Sequence, residues 1–222
     1  MSSEWPPPPD PSRLIPHITT WPAGRQLVRC HDSRFGSSEF NPGLGAGRFH
    51  PFRTGPRRRP IPTLYAAADE VAAASETVFH TVPLLGAEDQ APRAVFLSRY
   101  LSWMWSTLVL RRDLHLVDLT EPGLSVLGVA RETLSSSPAA AYPVTREWGC
   151  ALYRASAADG LLWDSRQAPE SEAVVLFGAR DGRGVRRREI TVAQPPVPFA
   201  DGPGLTLLAE IAERLEVMLV SR

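Results

Sequence analysis

The sequence predicts an α+β fold built around a mixed β-sheet. Predicted strands and helices follow one another without the strand–helix–strand alternation of a doubly wound parallel sheet, and no internal repeat is present. The chain has 222 residues, of which 43% are hydrophobic and 22% charged. These values are typical of one globular domain with a sizeable core. We therefore expect a single domain over residues 25–222, preceded by a proline-rich tail over residues 1–24.

The predicted tail contains Pro6–Pro9 and three further prolines. Because proline fixes φ and removes a backbone donor, we expect this segment to be extended and without regular structure. It either wraps on the surface through Trp5, Leu14, Ile15 and Trp21 or is disordered. In both cases, removal of residues 1–20 is expected to leave the core folded.

The first half of the domain contains two predicted strands, a long loop and a helix. Alternation predicts a strand over residues 26–31, and a short strand is expected over residues 63–66, with Tyr65 at its end. Between them, residues 32–60 hold five glycines and four prolines and are predicted to be loop. A loop of this length in a compact domain is usually functional. An alanine-rich helix is predicted over residues 69–80, with an acidic residue at its positive end.

The second half is predicted to continue the sheet and to add two longer helices. Two or three strands are expected within residues 95–119, short helical turns over 122–138, a helix over 143–156, buried strands over 161–164 and 173–177, and an edge strand over 187–192. A last helix should start after Gly204, with Leu208, Ile211, Leu215 and Met218 forming one apolar stripe.

Charge and cysteine content argue against several classes of protein. Lys plus Arg equals Asp plus Glu, at 24 each, so no net charge attracts the chain to nucleic acid or an anionic membrane. Cys30 and Cys150 lack metal-ligand spacing and fit free thiols in a reducing compartment. The histidines also lack ligand spacing, so no metal is expected. Because no signal-peptide pattern or long apolar span is present, we expect a cytoplasmic protein.

Four residues could carry chemistry, each with a plainer alternative. Arg48 follows Gly43, Gly45 and Gly47. Its guanidinium could donate hydrogen bonds to two phosphate oxygens at once, or it could bind backbone carbonyls as a loop arginine. Tyr65 could stack on a base, or it could be a core tyrosine. Glu76, beside Ser75 in the predicted helix, could contact a ribose or face solvent. Ser165, after a buried strand, could be a turn serine.

Several ordered segments resemble the RES domain family from about residue 27 to about residue 192. The matching segments include residues 27–31 (LVRCH), 45–51 (GAGRFHP), 64–69 (LYAAAD), 73–80 (AASETVFH) and 160–167 (GLLWDSRQ). The resemblance implies a RES-like catalytic domain with a compact mixed-sheet fold similar to ADP-ribosyltransferases. It also implies a cleft that takes NAD as substrate, with no further cofactor, and cleaves its nicotinamide N-glycosidic bond by hydrolysis or phosphorolysis.

The resemblance also implies roles for individual residues and a biological setting. The family's two arginines correspond to Arg29 and Arg48, its tyrosine to Tyr65, its glutamate to Glu76 and its serine to Ser165. All five would bind NAD, and Arg48, Glu76 and Ser165 would be catalytic. Most family members are toxins of bacterial toxin–antitoxin pairs, which implies a helix-turn-helix antitoxin as partner.

Two segments depart from the family pattern. Residues 49–51 read Phe-His-Pro where the best-studied toxin branch often has Trp-Asn-Pro, and residues 168–172 read APESE where that branch is rich in Asn. Two other functions therefore stay open: a non-catalytic nucleotide- or partner-binding protein of the same fold, and a protein ADP-ribosyltransferase. A homodimer is possible, since the sequence does not determine the oligomeric state.

Overall fold

The computed structural model describes residues 5–84, 92–180 and 182–221 and has the predicted α+β fold. Its strands are β1 (Ile18–Trp21), β2 (Gln26–Asp32), β3 (Arg53–Thr54), β4 (Arg59–Pro60), β5 (Thr63–Ala67), β6 (Ala94–Phe96), β7 (Trp103–Leu110), β8 (Leu114–Asp118), β9 (Gly160–Asp164), β10 (Glu172–Phe177), β11 (Ile190–Val192), β12 (Val197–Pro198) and β13 (Met218–Val220). Its α-helices are α1 (Glu70–Ser75), α2 (Glu121–Leu127), α3 (Tyr142–Ala155) and α4 (Gly202–Arg214). The outermost residues of the predicted tail and domain, 1–4 and 222, lie outside the described residues.

Most of the strands join one mixed sheet. Its order is β1-β8-β9-β10-β5-β2-β7-β11, and β12 also pairs with β7. The pair β8–β9 is parallel, and the other pairs in this sheet are antiparallel. Two small sheets stand apart from it: the antiparallel pair β3–β4 and the parallel pair β6–β13. The mixed sheet predicted from the element order is thus confirmed.

The large mixed sheet is strongly curled, and one apolar cluster on it includes side chains from its first strand to its last. Trp21 of β1 and Ile190 of β11 belong to this cluster, together with Leu27, Leu64 and Leu162 from the strands between them. Trp21 is 2% exposed, and the three leucines are at most 2% exposed. We call the surface of the sheet that carries this cluster the inner face.

The helices cover the opposite surface, which we call the outer face. Trp148 and Leu152 of α3 pack there against Trp163 of β9 in one cluster. Ala73 of α1 and Leu208 of α4 belong to a second cluster next to it, with Val28 and Ala67 from the sheet. Both faces of the central strands are therefore buried. In β2, residues 27–31 are all buried, so buried and exposed side chains do not alternate along this strand.

Three elements have different residue ranges in the structure from those predicted. α1 ends at Ser75 instead of continuing to residue 80, and the N–H groups of Thr77, Val78 and Phe79 all bond to the carbonyl of Ala74. β-Branched residues at this point favour such tightening over a regular helix. Residues 187–189 form a 3₁₀ turn, so the edge strand is only Ile190–Val192.

The last helix also differs from its prediction. α4 begins at Gly202 and ends at Arg214, because the chain turns through a left-handed residue, Glu216 with φ 53°. Leu208 and Ile211 are buried as predicted. Met218, however, lies in β13 and is 67% exposed, so it is not part of the helical stripe.

The predicted absence of regular structure in the tail is wrong for its last part. β1 pairs with β8 over four residues, from Ile18 opposite Val117 to Trp21 opposite Leu114. Further upstream, Leu14 is 8% exposed within the α3 cluster, and the Trp148 indole N–H donates to the carbonyl of Pro6 at 3.0 Å. The tail therefore packs along the body of the protein through Leu14 and Trp21, as the first of the two expected alternatives describes, but Ile15 does not take part in this packing.

Leu14 and Ile15 provide a matched test of this packing. Leu14 is 8% exposed, whereas its neighbour Ile15 is 83% exposed. We expect Leu14→Ala to lower the free energy of unfolding by about 2 kcal/mol, as buried Leu truncations do. Ile15→Ala should change it by less than about 0.5 kcal/mol. Urea unfolding of both variants measures the difference, and equal effects would show that the tail is not packed.

Candidate active site

The carboxylate of Glu76 is the centre of a convergent set of donors. Glu76 follows the last residue of α1 and is its C-cap. Its Oε1 accepts hydrogen bonds from Ser165 Oγ at 2.8 Å and from the Arg166 backbone N–H at 3.1 Å. Its Oε2 accepts one from the Trp163 indole N–H at 3.3 Å. An ionised carboxylate offers about four acceptor positions, so one remains on Oε2.

Asp69 holds the two segments of this cluster together. Its Oδ1 caps α1 by accepting from the Ala72 backbone N–H at 2.8 Å. Its Oδ2 accepts from Ser171 Oγ at 2.6 Å, and the Ser171 carbonyl in turn accepts from the Ser165 backbone N–H at 2.9 Å. Ser165 itself is fully buried. The helix that supplies Glu76 and the turn that supplies Ser165 are therefore fixed to each other.

Tyr65 lies on the same face and links Glu76 to the glycine-rich loop. The prediction that Tyr65 ends its strand is wrong, because β5 continues to Ala67 and Tyr65 lies in its middle. Its hydroxyl accepts from the Phe49 backbone N–H at 3.0 Å and lies 3.1 Å from His50 Nδ1. Its ring meets the Trp163 ring edge-on at 6.1 Å. Burial raises the pKa of Tyr65 well above its usual range, so the hydroxyl stays protonated.

Arg48 is held inside the protein by backbone groups. It is 5% exposed, and its Nη1 donates to the carbonyls of Leu134 at 3.0 Å and Ser137 at 2.9 Å. Nη1 also donates to Ser137 Oγ at 2.8 Å, and the ring of Tyr142 lies 5.3 Å from the guanidinium carbon. The carbonyl bonds match the plainer alternative for Arg48, and they fix its side chain in the region of Tyr65.

One glycine before Arg48 is required by close contact. A β-carbon on Gly47 would overlap the His50 ring and reach within 3.5 Å of the Tyr65 hydroxyl. Only glycine lets the loop lie this close to both rings. The glycine-rich loop therefore brings the peptide group between Arg48 and Phe49 close to Tyr65, and its N–H, that of Phe49, donates to the Tyr65 hydroxyl.

Arg29 lies away from these residues. On β2, Leu27 belongs to the inner cluster and Val28 to the outer face, so alternation places Arg29 on the inner face. On β5, Leu64 belongs to the inner cluster, which places Tyr65 on the outer face. The structure thus brings together Arg48, Tyr65, Glu76 and Ser165 but not Arg29.

The Arg29 guanidinium has a local structural role. Its Nη1 donates to the carbonyls of Gly36, Ser37 and Glu39, at 3.3, 2.7 and 2.8 Å. It is 6% exposed, and burial lowers the pKa of Arg29 to about 10. These bonds organise the start of the long loop after β2.

Four residues of the cluster were not predicted to belong to it: His50, Tyr142, Trp163 and Arg166. Trp163 and Arg166 lie within two residues of Ser165, in the segment over residues 160–167 that resembles the family, and His50 lies in the resembling segment over residues 45–51. Arg166 donates from Nη2 to the carbonyls of His80 at 3.0 Å and Val82 at 2.9 Å. Burial, followed by the positive charge of Arg48, lowers the pKa of Arg166.

Two cavities lie outside this cluster. One of about 380 Å³ is lined by Phe40, Pro62 and Val185, and one of about 370 Å³ lies between the tail and α3. Neither touches Glu76. The candidate site therefore rests on the convergence of side chains around Glu76 and not on these cavities.

The comparison with protein families bears on this arrangement. A family model described as the RES domain matches residues 26–200 of the 222-residue chain. The chain belongs to the RES domain family. The RES domain match contains Arg48, Tyr65, Glu76 and Ser165, while β1 and α4 lie outside it. A search of curated proteins found no match to this chain.

Over residues 5–84, 92–180 and 182–221, no helix combines the length and apolar character needed to cross a bilayer. Within the same ranges, no group of three or more His, Cys, Asp or Glu side chains could hold a metal ion.

His50 predicts a pH dependence of stability. Burial lowers the pKa of His50 below its usual value of 6.5, and the charge of Arg146 acts in the same direction. The unfolded chain therefore binds a proton more readily than the folded one. The contribution of His50 is present above about pH 6.5 and is lost as the pH falls through its folded pKa.

Urea unfolding at pH 7.5 and pH 5.5 measures this effect. We expect the wild type to be less stable at the lower pH and His50→Gln to show a smaller loss. The pH dependence that remains includes His31, whose pKa is also lowered by burial. An identical pH dependence in wild type and His50→Gln would contradict the prediction.

Proposed function

We propose that this protein consumes NAD by cleaving the bond between nicotinamide and its ribose. The observation that carries the proposal is the Glu76 carboxylate, which three donors hold in place while one acceptor position on Oε2 stays open. Family membership supports the same reading, because RES domains are generally associated with NAD-acting toxins. A carboxylate facing bulk solvent would have favoured the non-catalytic alternative instead.

Glu76 has a direct role in the proposed reaction. Breaking the N-glycosidic bond releases neutral nicotinamide, which takes the bonding electron pair, and leaves positive charge at the anomeric carbon. The free acceptor position of Glu76 would bind a ribose hydroxyl, and its negative charge would stabilise the developing cation. Ser165 is fully buried and donates to Glu76, so it acts as a positioning residue in this scheme.

The acceptor completes the reaction. Addition of water to the anomeric carbon would give ADP-ribose and release a proton. Addition of inorganic phosphate would give a ribose 1-phosphate ester of the same ADP-ribosyl group. A protein side chain as acceptor would make the protein an ADP-ribosyltransferase. Tyr65 would face the nicotinamide ring, while Arg48 would lie near the phosphates.

Incubation of the purified protein with NAD, with and without phosphate, tests the proposal. We expect release of nicotinamide. Hydrolysis would release it in both conditions and give ADP-ribose, whereas phosphorolysis would require phosphate and give the phosphate ester of ADP-ribose. Mass spectrometry identifies the products, and radiolabelled NAD reveals any labelled protein. Intact NAD after prolonged incubation would overturn the proposal in favour of a nucleotide- or partner-binding protein.

The proposal includes a biological setting. We propose that the protein acts in the cytoplasm as the toxin of a bacterial toxin–antitoxin pair, with a helix-turn-helix protein as its antitoxin. Growth arrest on expression, together with a fall in cellular NAD, tests the toxin role. Normal growth while the expressed protein consumes NAD in lysate would argue against it.

A further inference from the structure

His50 connects the glycine-rich loop to Tyr65 through both nitrogens of its ring. Its Nδ1 lies 3.1 Å from the Tyr65 hydroxyl, and its Nε2 lies 3.2 Å from the Leu44 carbonyl oxygen. The His50 and Tyr65 ring centroids are 5.1 Å apart. Both side chains are half-buried. The proposed reaction uses Tyr65 but gives no role to His50.

The surrounding hydrogen bonds determine which nitrogen of neutral His50 carries the hydrogen. Asn41 Oδ1 accepts from the backbone N–H groups of Gly43 and Leu44 at 2.9 and 2.7 Å. Its Nδ2 is therefore the end that donates to the Leu44 carbonyl, at 2.9 Å. Because that carbonyl can only accept, His50 Nε2 carries a hydrogen and donates to it as well. In neutral His50, Nδ1 is consequently an acceptor.

The Tyr65 hydroxyl is complementary to this form of His50. Its oxygen accepts from the Phe49 backbone N–H at 3.0 Å, which leaves its O–H to donate to His50 Nδ1. Burial raises the pKa of Tyr65 well above its usual range, so the hydroxyl keeps its hydrogen. The loop also confines the His50 ring, since a β-carbon on Gly47 would lie 2.4 Å from its Cε1. Neutral His50 thus fixes the position of the Tyr65 hydroxyl and the direction of its hydrogen.

A proton on Nδ1 would reverse this bond and add a positive charge beside Tyr65. Nδ1 would become a donor to the phenol oxygen, and the Tyr65 hydrogen would lose its acceptor. The new charge would also repel the nicotinamide ring of NAD, which is positively charged until the glycosidic bond breaks, and the cation that then develops at the anomeric carbon. The titratable and charged groups that face His50 are Tyr65 on β5 and Arg146 on α3, and the Arg146 charge opposes protonation of His50.

We infer that neutral His50 is a positioning residue for Tyr65 and that its protonation reduces NAD cleavage by this protein. The inference rests on the proposed function, because the role of Tyr65 does. His50 lies in one of the two segments that depart from the family pattern, so the inference concerns this chain rather than the family. Burial lowers the pKa of His50 below its usual value of 6.5, so the neutral form predominates at neutral pH.

Nicotinamide release measured from pH 5.5 to pH 8, in phosphate buffer that permits both hydrolysis and phosphorolysis, tests the inference. In the wild type, kcat/KM should be constant near pH 7.5 and fall about tenfold per pH unit below a midpoint under pH 6.5. His50→Asn keeps an acceptor near the position of Nδ1 but cannot take up a proton, so its kcat/KM should change by less than about threefold over this range.

His50→Gln gives the opposite arrangement. Its longer amide reaches towards the Leu44 carbonyl and leaves no acceptor at the position of Nδ1, so kcat/KM should fall about tenfold at pH 7.5, as loss of one hydrogen bond does. A purely structural role of His50 would instead affect the two amide variants alike and leave the acid limb of the pH profile in both.

His115→Asn is the matched control. His115 is exposed on β8, where its Nδ1 lies 3.2 Å from the Thr20 hydroxyl, so the same substitution there should leave the acid limb intact. Circular dichroism at each pH establishes that the variants are folded. The same acid limb in wild type and His50→Asn, or wild-type activity of His50→Gln at pH 7.5, would overturn the inference.

Failure of the proposed function is distinguishable from failure of this inference. Absence of nicotinamide release at every pH would refute the proposed function. Nitrogen NMR of His50 needs no turnover, and we expect it to show the hydrogen on Nε2 of the neutral ring. A hydrogen on Nδ1 would overturn the inference by itself, because Tyr65 would then have no acceptor in His50.

Discussion

Glu76→Gln is expected to reduce NAD consumption by about 100-fold or more while leaving the fold intact. The amide keeps the shape of the side chain but removes the negative charge that would stabilise the cation at the anomeric carbon. Loss of one such electrostatic contact typically costs this much in rate. The amide oxygen can still accept from Ser165 and the Arg166 N–H, but the amide nitrogen cannot accept from the Trp163 indole, so we expect the melting temperature to fall by only a few degrees.

Glu70→Gln is the control for this variant. Glu70 is the first residue of the same helix and is exposed, so it carries the same charge without contact with Ser165 or Trp163. Nicotinamide release and thermal melting of both variants give the comparison. Wild-type turnover by Glu76→Gln would remove Glu76 from the reaction, and an equal loss in Glu70→Gln would indicate a general effect of charge on the helix.

Deletion of residues 1–21 is expected to lower the melting temperature by about 10 °C or more. This reverses the expectation from sequence that the core would fold without residues 1–20. The deletion removes Trp21, which is 2% exposed, and truncation of such a side chain costs about 3–5 kcal/mol. In a domain of this size each kcal/mol lowers the melting temperature by about 2–4 °C. Loss of β1 also leaves β8 as an unprotected edge strand.

Deletion of residues 1–9 is the matched control. It leaves Leu14 and β1 in place and removes the acceptor of the Trp148 indole N–H, the Pro6 carbonyl. We expect a smaller decrease in melting temperature, by a few degrees. Differential scanning calorimetry of both truncated proteins decides the matter. Equal melting temperatures for the wild type and the longer deletion would mean that β1 adds no stability.

Parts of the fold could be predicted from the sequence because their signals are local. The strands β2, β5, β9 and β10 are apolar runs bounded by glycine, proline or charged residues, and their ends agree with prediction within about two residues. The helix α3 begins beside its proline and has the predicted apolar spacing. α1 was predicted too long, since alanine-rich composition does not reveal that Thr77 and Val78 turn back onto Ala74.

The site shows the same division between local and distant information. The sequence by itself determined the residue types and their family positions, so Arg48, Tyr65, Glu76 and Ser165 could be named. Only the tertiary structure decided that Ser165 bonds Glu76 across 89 positions and that Arg29 lies on the opposite face of the sheet. The physical reason is strand pairing, because the pairing of β2 and β5 sets which side chains share a face, and a single sequence does not contain that register.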